Sequence, residues 1–280
     1  MAIDLTPQLR DAVDHWSLSG VTPVAETSTS HVWKVRLPAG GPAALKIVTP
    51  RGGEEIVGAD FLAWRDGAGA ARLFGRSGPA MLIEWLAGPS LGDKARAGDV
   101  DGAIEVIAGL LPRLQAPGAG RPGSLVPLDT RFAALMDLDL ATLALPYRAS
   151  IGQAQARARR CLAGARSPRP LHGDLHHDNI RHSARGWLAF DPKGVWGDPA
   201  YEAANLFQNP ERAPHISLDP AYHTALAARL ASGLGVTERR LREWAAAHAG
   251  LSVAWHLADG RAATDDLFRS LWVLLEALSD

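Results

Sequence analysis

Strand-like and helix-like patterns divide this chain of 280 residues into two unequal parts. The first third holds short β-branched or apolar runs, and two of them flank a Pro- and Gly-rich segment at 38–42 that is typical of a hairpin turn. From about residue 100 onward, apolar residues recur with the period of amphipathic helices. Because strands and helices are segregated in this way, the sequence predicts an α+β fold with a small β-rich N-terminal lobe and a larger, mostly helical C-terminal lobe.

The predicted elements follow from these runs. Strands are predicted at 22–27, 31–37, 43–48, 73–74, 81–86 and 187–191. Helices are predicted at 54–65, 100–115, 131–145, 151–163, 221–234, 238–257 and 264–278. Gly88 and Pro89 interrupt the pattern, so the predicted lobes are 1–86 and 87–280.

The most specific motif is the run LHGDLHHDNI at 171–180, followed by an apolar run that ends at Asp191. Phosphoryl transfer needs one carboxylate to accept the proton of the attacking hydroxyl, and an amide and a second carboxylate to hold Mg²⁺ against the phosphate oxygens. This interpretation makes Asp174 the base and Asn179 and Asp191 the metal ligands, in a pattern that resembles the catalytic loop of kinases. An isolated Asp-x4-Asn pair would more simply build turns, but the downstream Asp191 favours the catalytic interpretation.

Lys46 lies inside an apolar strand run, where burying an ammonium group is costly. The interpretation that explains it is contact with the α- and β-phosphates of ATP and with a carboxylate of the following helix. Glu54 and Glu55 both open that helix, and Glu55 is the predicted partner. The alternative is a lysine of an edge strand whose ammonium group reaches water.

Two further segments are candidates for binding the nucleotide. Ser28, Thr29 and Ser30 lie between the first two strands, where kinases place a Gly-rich loop, and their hydroxyl and backbone N–H groups can contact phosphates. This segment lacks glycine, so a plain polar turn is the alternative. Glu84 and Leu86 belong to the segment whose backbone would contact adenine, an assignment that rests on position alone.

The residues around the motif have predicted supporting roles. Asp198 and His172 are predicted to brace the catalytic loop. Glu202 is predicted to face the acceptor, although an acidic residue is also favoured at a helix N-terminus by the dipole alone. His172, His176 and His177 lack the number and spacing of ligands that a zinc site requires.

Composition excludes several classes of protein. Lys and Arg total 29 against 30 for Asp and Glu, so the basic excess of a nucleic-acid binder is absent. The single cysteine, Cys161, cannot form an internal disulfide, which fits a cytosolic protein. The first ten residues include Asp4 and show no signal-peptide pattern, and no apolar window approaches the length of a membrane span. We therefore expect a soluble cytoplasmic protein, a monomer or weak dimer, without nucleic-acid or membrane partners.

These motifs resemble one family. The run at 171–180, the segment RGWLAFDPKGVWGDPAYEAANLF that follows, GADFLAWRDGAGAARLFGR upstream and LSVAWHLADG downstream are similar to the aminoglycoside/hydroxyurea antibiotic-resistance kinases, in particular the streptomycin 6-phosphotransferases. The resemblance spans roughly residues 20 to 260. It implies a protein-kinase-like bilobal fold, ATP, Mg²⁺, and transfer of phosphate to a hydroxyl of streptidine in streptomycin. The residues that it carries over are Lys46, Glu55, Asp174, Asn179 and Asp191.

The acceptor is predicted from charge. Because streptomycin carries two guanidinium groups, its site should be acidic, and the candidate carboxylates are Asp137, Asp139, Asp178 and Glu202. One alternative is a kinase of hydroxyurea or of another small hydroxylated metabolite. Another is a nucleotide-binding pseudokinase, which the intact set of catalytic residues disfavours. Protein kinase activity is also disfavoured, since there is no Ala-Pro-Glu motif and no room for a long activation loop.

Overall fold

The computed structural model describes residues 6–53, 55–118 and 122–278. The strands are β1 Ser19–Glu26, β2 Ser30–Arg36, β3 Pro42–Val48, β4 Leu73–Ser77, β5 Ala80–Glu84, β6 Val126–Pro127, β7 Arg169–Leu171, β8 Ile180–Ser183, β9 Gly186–Ala189 and β10 Val195–Gly197. The α-helices are α1 Thr6–His15, α2 Glu55–Arg65, α3 Leu91–Arg96, α4 Val100–Gln115, α5 Leu128–Arg131, α6 Ala133–Met136, α7 Tyr147–Ala163, α8 Pro214–Ser217, α9 Pro220–Leu234, α10 Glu238–Ala258 and α11 Asp265–Glu276. Helices of the 3-10 type are Pro50–Gly52, Leu140–Thr142, His177–Asn179 and Pro199–Gln208.

The N-terminal strands form one antiparallel sheet in the order β1-β2-β3-β5-β4. Successive side chains of a strand point to opposite faces, and β3 shows this alternation clearly. Leu45 and Ile47 pack into a small core on one face. Ala44 and Lys46 point to the other face, where they line a pocket. The alternation therefore places a lysine in the cleft beneath the sheet.

Helix α1 covers the outer face of this sheet and was not predicted. Its only buried residue is Ala12, while Leu9, Val13 and Trp16 beside it are partly buried against the same small core. These four residues recur at the spacing of an amphipathic helix, so the sequence does carry the pattern of α1, although only over two turns.

The C-terminal part is built around α10. Its buried residues include Trp244 and Leu251, and it packs against α7, α9, α11 and the 199–208 helix. The preceding helix α9 ends at Gly235, whose φ of 64° is the left-handed conformation that closes a helix. Two residues later, the Thr237 side chain accepts a hydrogen bond from Arg240 N and begins α10.

Short strands in the C-terminal part position the catalytic motif. The run 171–180 forms the loop between β7 and β8, and β8 pairs with β9 so that Asp191 follows the end of the hairpin. Arg185, in the turn of this hairpin, ties it to the N-terminal part. It forms an ion pair with Glu84 and donates hydrogen bonds to Gly67 O at 2.8 Å and Ala70 O at 3.1 Å.

The predicted α+β architecture is confirmed, with a β-sheet N-terminal region and a mostly helical C-terminal region. The single helix predicted at 131–145 is wrong: the structure has only the four-residue helix α6 and the 3-10 helix Leu140–Thr142 there. Asp139 caps the last of them by accepting a hydrogen bond from Ala141 N at 2.9 Å, which is a typical alternative to helix for an aspartate. The predicted boundary after residue 86 falls between β5 and α3 and stays a prediction.

Within the described ranges, none of the helices combines the length and the apolar character needed to cross a membrane.

Candidate active site

Lys46 is held between two carboxylates in the cleft. It is 7% exposed, its Nζ lies 2.6 Å from Glu55 Oε2, and it also pairs with Asp191 Oδ1. Burial lowers the pKa of Lys46, but Asp191 and Glu55 more than offset this, so the net shift is upward. The structure thus brings together Lys46, Glu55 and Asp191, while Glu54 lies outside the described residues.

Asp191 occupies an unusual backbone conformation. Its φ of 60° is rare for a residue with a side chain, and such strain often accompanies a functional position. Burial disfavours the ionised carboxylate, but Lys46 and Lys193 outweigh that effect and hold the pKa of Asp191 below its usual range. The Lys193 Nζ lies 3.9 Å from Asp191 Oδ2 and 3.4 Å from Glu55 Oε1.

A pocket of about 270 Å³ lies between the sheet and the β8–β9 hairpin. Predicted nucleotide-binding residues that line it are Ser30, Lys46, Glu84 and Leu86, together with Asp191. Its other lining residues are mainly apolar: Val24, Ala25, Thr27, Val32, Ala44, Ile83, Trp85, Arg181 and Phe190. A pocket with apolar walls and a charged end suits a planar base joined to phosphates.

Ser28 and Thr29 do not line this pocket. Their turn is organised by Thr27, whose Oγ1 accepts hydrogen bonds from Ser30 N at 3.0 Å and Thr29 N at 3.3 Å. The carbonyl of Ser28 accepts the hydroxyl of Thr49 at 2.7 Å. The hydroxyl of Thr29 is turned to the Glu55 carboxylate. The phosphate contacts proposed for Ser28 and Thr29 stay a prediction.

The Glu84 side chain is engaged away from the pocket. Its Oε2 accepts a hydrogen bond from Arg72 N at 3.0 Å and its Oε1 accepts one from Arg185 Nε at 3.0 Å. Any contact of Glu84 with adenine must come from its backbone, as the sequence interpretation assumed.

Asp174 lines a second, larger cleft, described below. Burial raises the pKa of Asp174, although His176, Lys193 and Arg131 lower it and the nearby Asp191 adds to the rise. A carboxylate with a raised pKa accepts a proton more readily, which is what a general base requires.

The His172 side chain forms hydrogen bonds within the loop at 171–180 and to the segment before Asp191, which fits the bracing role proposed for it. Its ring is fully buried, and burial lowers its pKa to about 3, so it is neutral. Its Nδ1 accepts a hydrogen bond from Asp174 N at 3.3 Å, so Nε2 carries the proton and donates to Phe190 O at 2.9 Å. The ring therefore connects the base to the residue before Asp191.

The structure places neither Glu202 nor Asp198 in the role predicted for it. Glu202 is 2% exposed and its carboxylate accepts hydrogen bonds from His172 N at 2.8 Å and Gly173 N at 3.1 Å, so it braces the catalytic loop and does not face the acceptor. Asp198 caps the 199–208 helix through Ala200 N and pairs with Arg240. It contributes no hydrogen bond to the catalytic loop among those described.

Asp178 does not face the large cleft either. It forms an ion pair with Arg96 of α3, with 2.7 Å between Oδ1 and Nη2, and its Oδ2 accepts a hydrogen bond from Glu211 N at 3.2 Å. Gly92 packs against this carboxylate so closely that a Cβ would lie 2.2 Å from Oδ1. Asp178 thus anchors α3 to the catalytic loop, which differs from the predicted contact with substrate.

The residues present fit a magnesium ion bound with phosphates. Asn179 Nδ2 donates to Asp174 O at 3.0 Å, which directs its Oδ1 away from that carbonyl, and Phe190 N donates to Asn179 O at 2.9 Å. Asn179 and Asp191 are thereby neighbours. One amide oxygen and one ionised carboxylate are hard ligands of the kind that Mg²⁺ uses when substrate phosphates and water complete its shell. The described residues contain no group of three or more His, Cys, Asp and Glu arranged to hold a metal alone.

The large cleft has a volume of about 760 Å³ and polar walls. Carboxylates (Asp174, Glu211, Asp266), amides (Asn205, Gln208, Asn209), hydroxyls (Ser252, Thr264, Ser270) and the cation Arg261 line it, along with His176 and His256. Asp137 and Asp139, which were predicted to bind the acceptor, do not line it. The sequence missed Glu211, Asp266 and Asn205 because they carry no motif and come together only through the fold.

Comparison with known proteins agrees with this geometry. The sequence profile of the aminoglycoside/hydroxyurea antibiotic resistance kinases matches residues 15–260. A streptomycin 3''-kinase of Klebsiella pneumoniae is 35% identical over 253 residues, which cover 89% of this chain and 92% of that protein. A streptomycin 6-kinase of Streptomyces glaucescens is 29% identical, over 92% of this chain and 84% of that protein. The crystal structure of the aminoglycoside phosphotransferase APH(4)-Ia superposes with a TM-score of 0.66 at 14% identity, covering 98% of both chains, which confirms the protein-kinase-like fold.

Proposed function

This chain belongs to the aminoglycoside/hydroxyurea antibiotic resistance kinase family, and we propose that it transfers the γ-phosphate of ATP to a hydroxyl of streptomycin. The observation that carries the proposal is the position of Asp174. It lines the polar cleft, and its backbone carbonyl accepts a hydrogen bond from Asn179, whose own carbonyl accepts one from Phe190 N beside Asp191. A base placed between a nucleotide pocket and an acceptor cleft is the arrangement that direct phosphoryl transfer needs.

The chemistry follows from the placement of these groups. The acceptor oxygen forms a bond to the γ-phosphorus as the bond from that phosphorus to the β–γ bridging oxygen breaks and ADP leaves. Asp174 accepts the hydroxyl proton, and the Lys46 ammonium, oriented by Glu55, binds the α- and β-phosphates. Magnesium held by Asn179 and Asp191 would neutralise charge on the phosphates.

The dimensions and chemistry of the cleft support a large polar acceptor. About 760 Å³ is the volume of a site for a drug-sized molecule, and it greatly exceeds the volume of hydroxyurea. Amide and hydroxyl side chains suit the many hydroxyls of streptomycin, while Glu211 and Asp266 suit its guanidinium groups.

Regiochemistry is the finer part of the proposal. The sequence interpretation placed the phosphate on the 6-hydroxyl of the streptidine ring, whereas the Klebsiella relative is a 3''-kinase. Fragmentation of the product in a mass spectrometer separates the two, because the phosphate remains with streptidine in one case and with the amino sugar in the other.

The test is ADP release measured with Mg²⁺, ATP and streptomycin, beside reactions without acceptor, with other aminoglycosides and with hydroxyurea. We expect stimulation by streptomycin and a phosphorylated product. Release that no acceptor stimulates would remove the antibiotic assignment.

The role of Asp174 is tested by Asp174→Ala. We expect kcat to fall about 10²- to 10⁴-fold, the usual contribution of a general base. Binding of Mg·ATP, measured by calorimetry, should persist because Asp174 does not line the nucleotide pocket. An unchanged kcat with intact nucleotide binding would show that the catalytic assignment is wrong.

A further inference from the structure

Asn205 contacts the predicted base directly, although no motif pointed to it. Its Nδ2 donates a hydrogen bond to Asp174 Oδ1 at 2.9 Å. We propose that Asn205, held by Asn209, is a positioning residue that fixes the rotation of the Asp174 carboxylate, so that Oδ1 is occupied and Oδ2 receives the proton of the acceptor hydroxyl. The inference rests on the proposed function, in which Asp174 is the base.

The orientation of the Asn205 amide is set by its second neighbour. Asn209 Nδ2 donates to Asn205 Oδ1 at 3.1 Å and to Asn205 O at 2.8 Å. An amide nitrogen can only donate, so the Asn205 oxygen must face Asn209 and its nitrogen must face Asp174. Asn209 is buried, whereas Asn205 is half-buried at the wall of the large cleft, next to the carboxylate that it contacts. The two asparagines therefore form a directed relay that ends on the carboxylate.

The geometry of the 199–208 helix explains why Asn205 is in reach. In a 3-10 helix, side chains three residues apart lie on the same face. Glu202 and Asn205 are three apart, and both contact the catalytic loop: Glu202 through the backbone N–H groups of residues 172 and 173, and Asn205 through the Asp174 side chain. One face of this helix thus holds both the backbone and the side chain of the base.

The relay predicts a hierarchy among variants. Asn205→Ala should lower kcat about 10- to 100-fold, because a misplaced base loses near-attack geometry, while KM for ATP stays within about twofold. Asn209→Ala should lower kcat less, by roughly 3- to 10-fold. Because Asn209 acts through Asn205, the double variant should be no slower than Asn205→Ala alone. Losses that multiply in the double variant would overturn the relay.

Gln155→Ala is the matched control. Gln155, in α7, carries a buried side-chain amide that donates to Leu135 O at 2.9 Å and to Leu138 O at 3.3 Å. It lines neither the nucleotide pocket nor the large cleft. It should lose stability without losing kcat. If Gln155→Ala reduces kcat as much as Asn205→Ala does, the effect is general destabilisation and the positioning role is wrong.

A readout independent of turnover separates this inference from the proposed function. In the NMR spectrum of the side-chain amides, Asp174→Ala and Asn209→Ala should each shift the Asn205 resonances, since each removes one of its hydrogen-bond partners. Absence of streptomycin phosphorylation by the wild-type protein would overturn the proposed function and leave the relay to be decided by these spectra. Asn205 resonances that neither variant shifts would overturn the relay, whatever the acceptor proves to be.

Discussion

Individual acidic residues near the catalytic loop differ in function because their surroundings differ. Glu202 is buried and accepts hydrogen bonds from two backbone N–H groups, whereas Asp191 forms ion pairs with two lysines. Burial raises the pKa of Glu202 to about 7 even though the two N–H groups favour its ionised form. For Asp191 the cations outweigh burial and the pKa is lowered. Burial therefore favours the protonated carboxyl in one place, and neighbouring lysines hold the carboxylate ionised in the other.

The raised pKa of Glu202 predicts a specific dependence of stability on pH. An unfolded glutamate has a pKa near 4.3. Between that value and about 7, Glu202 of the folded protein keeps a proton that the unfolded chain has released. Protonated Glu202 therefore adds to the free energy of unfolding at low pH, and this contribution is lost as the pH rises to about 7. Glu202→Gln removes the titration. The unfolding free energy of the wild type minus that of the variant should fall by roughly 2–3 kcal/mol from pH 4 to pH 8.

Urea unfolding at several pH values measures this difference. The loss of one hydrogen-bond acceptor in the glutamine variant adds a constant offset, so only the change with pH is diagnostic. A difference that stays flat, or that rises with pH, would contradict a raised pKa at Glu202.

At the scale of elements, the backbones of α2 and of the segment after Asp191 pack closely because each has a glycine at the point of contact. A Cβ on Gly58 would lie 2.0 Å from Pro192 O, and one on Gly194, whose φ is 67°, would lie 2.7 Å from Val57 O. This contact keeps the helix that carries Glu55 beside the loop that carries Asp191, so both carboxylates reach Lys46.

Gly58→Ala tests the importance of this contact. The added methyl group meets backbone atoms that cannot rotate away, so α2 must shift, at a cost of about 1–3 kcal/mol in stability. Because Glu55 moves with the helix, KM for ATP should rise several-fold.

Gly109→Ala in α4 is the control, since its Cβ would meet nothing within 4 Å. It should gain roughly 0.5–1 kcal/mol from helix propensity and leave KM unchanged. Equal stability of the two variants would show that the close approach is not required.

Residues that belong to a local sequence pattern could be predicted, whereas residues whose contacts depend on the fold could not. Lys46 and Glu55 could be predicted because strand alternation and the start of a helix are local patterns. The catalytic run could be predicted because its residues are contiguous. The contacts of Glu202 and Asp198 could not be predicted, because they depend on how the 199–208 helix packs against the loop at 171–180, which no local pattern shows.

Across the whole molecule, the proposed nucleotide pocket and the proposed acceptor cleft draw on different parts of the chain. The pocket combines strands β1, β2, β3 and β5 with the end of the β8–β9 hairpin. The cleft is lined only by residues 174 to 270, from the helical part. Acceptor recognition can therefore change without disturbing Lys46 and its partners, which fits a family whose members act on different antibiotics.

Because the two sites are separate, a charge in the cleft can be removed to test its contribution to acceptor binding alone. Asp266 lines the cleft at the start of α11, where it pairs with Arg269 but remains largely exposed. Exposed charges contribute only about 0.2–1 kcal/mol, so Asp266→Asn should raise KM for streptomycin about 2- to 5-fold and leave KM for ATP unchanged. The effect should shrink as salt is added, because ions screen exposed charges. The control Glu276→Gln removes the same charge from the exposed end of the same helix, outside the cleft, and should change neither constant.

The salt dependence decides what kind of acceptor the cleft recognises. If Asp266 attracts a guanidinium group, the KM of the wild type rises with salt and approaches that of the variant, because screening removes the same attraction that the substitution removes. If KM is insensitive both to salt and to Asp266→Asn, the amides and hydroxyls of the cleft bind the acceptor through its hydroxyl groups alone. A neutral polyol would then fit the cleft better than streptomycin does, while the catalytic residues would keep the same roles.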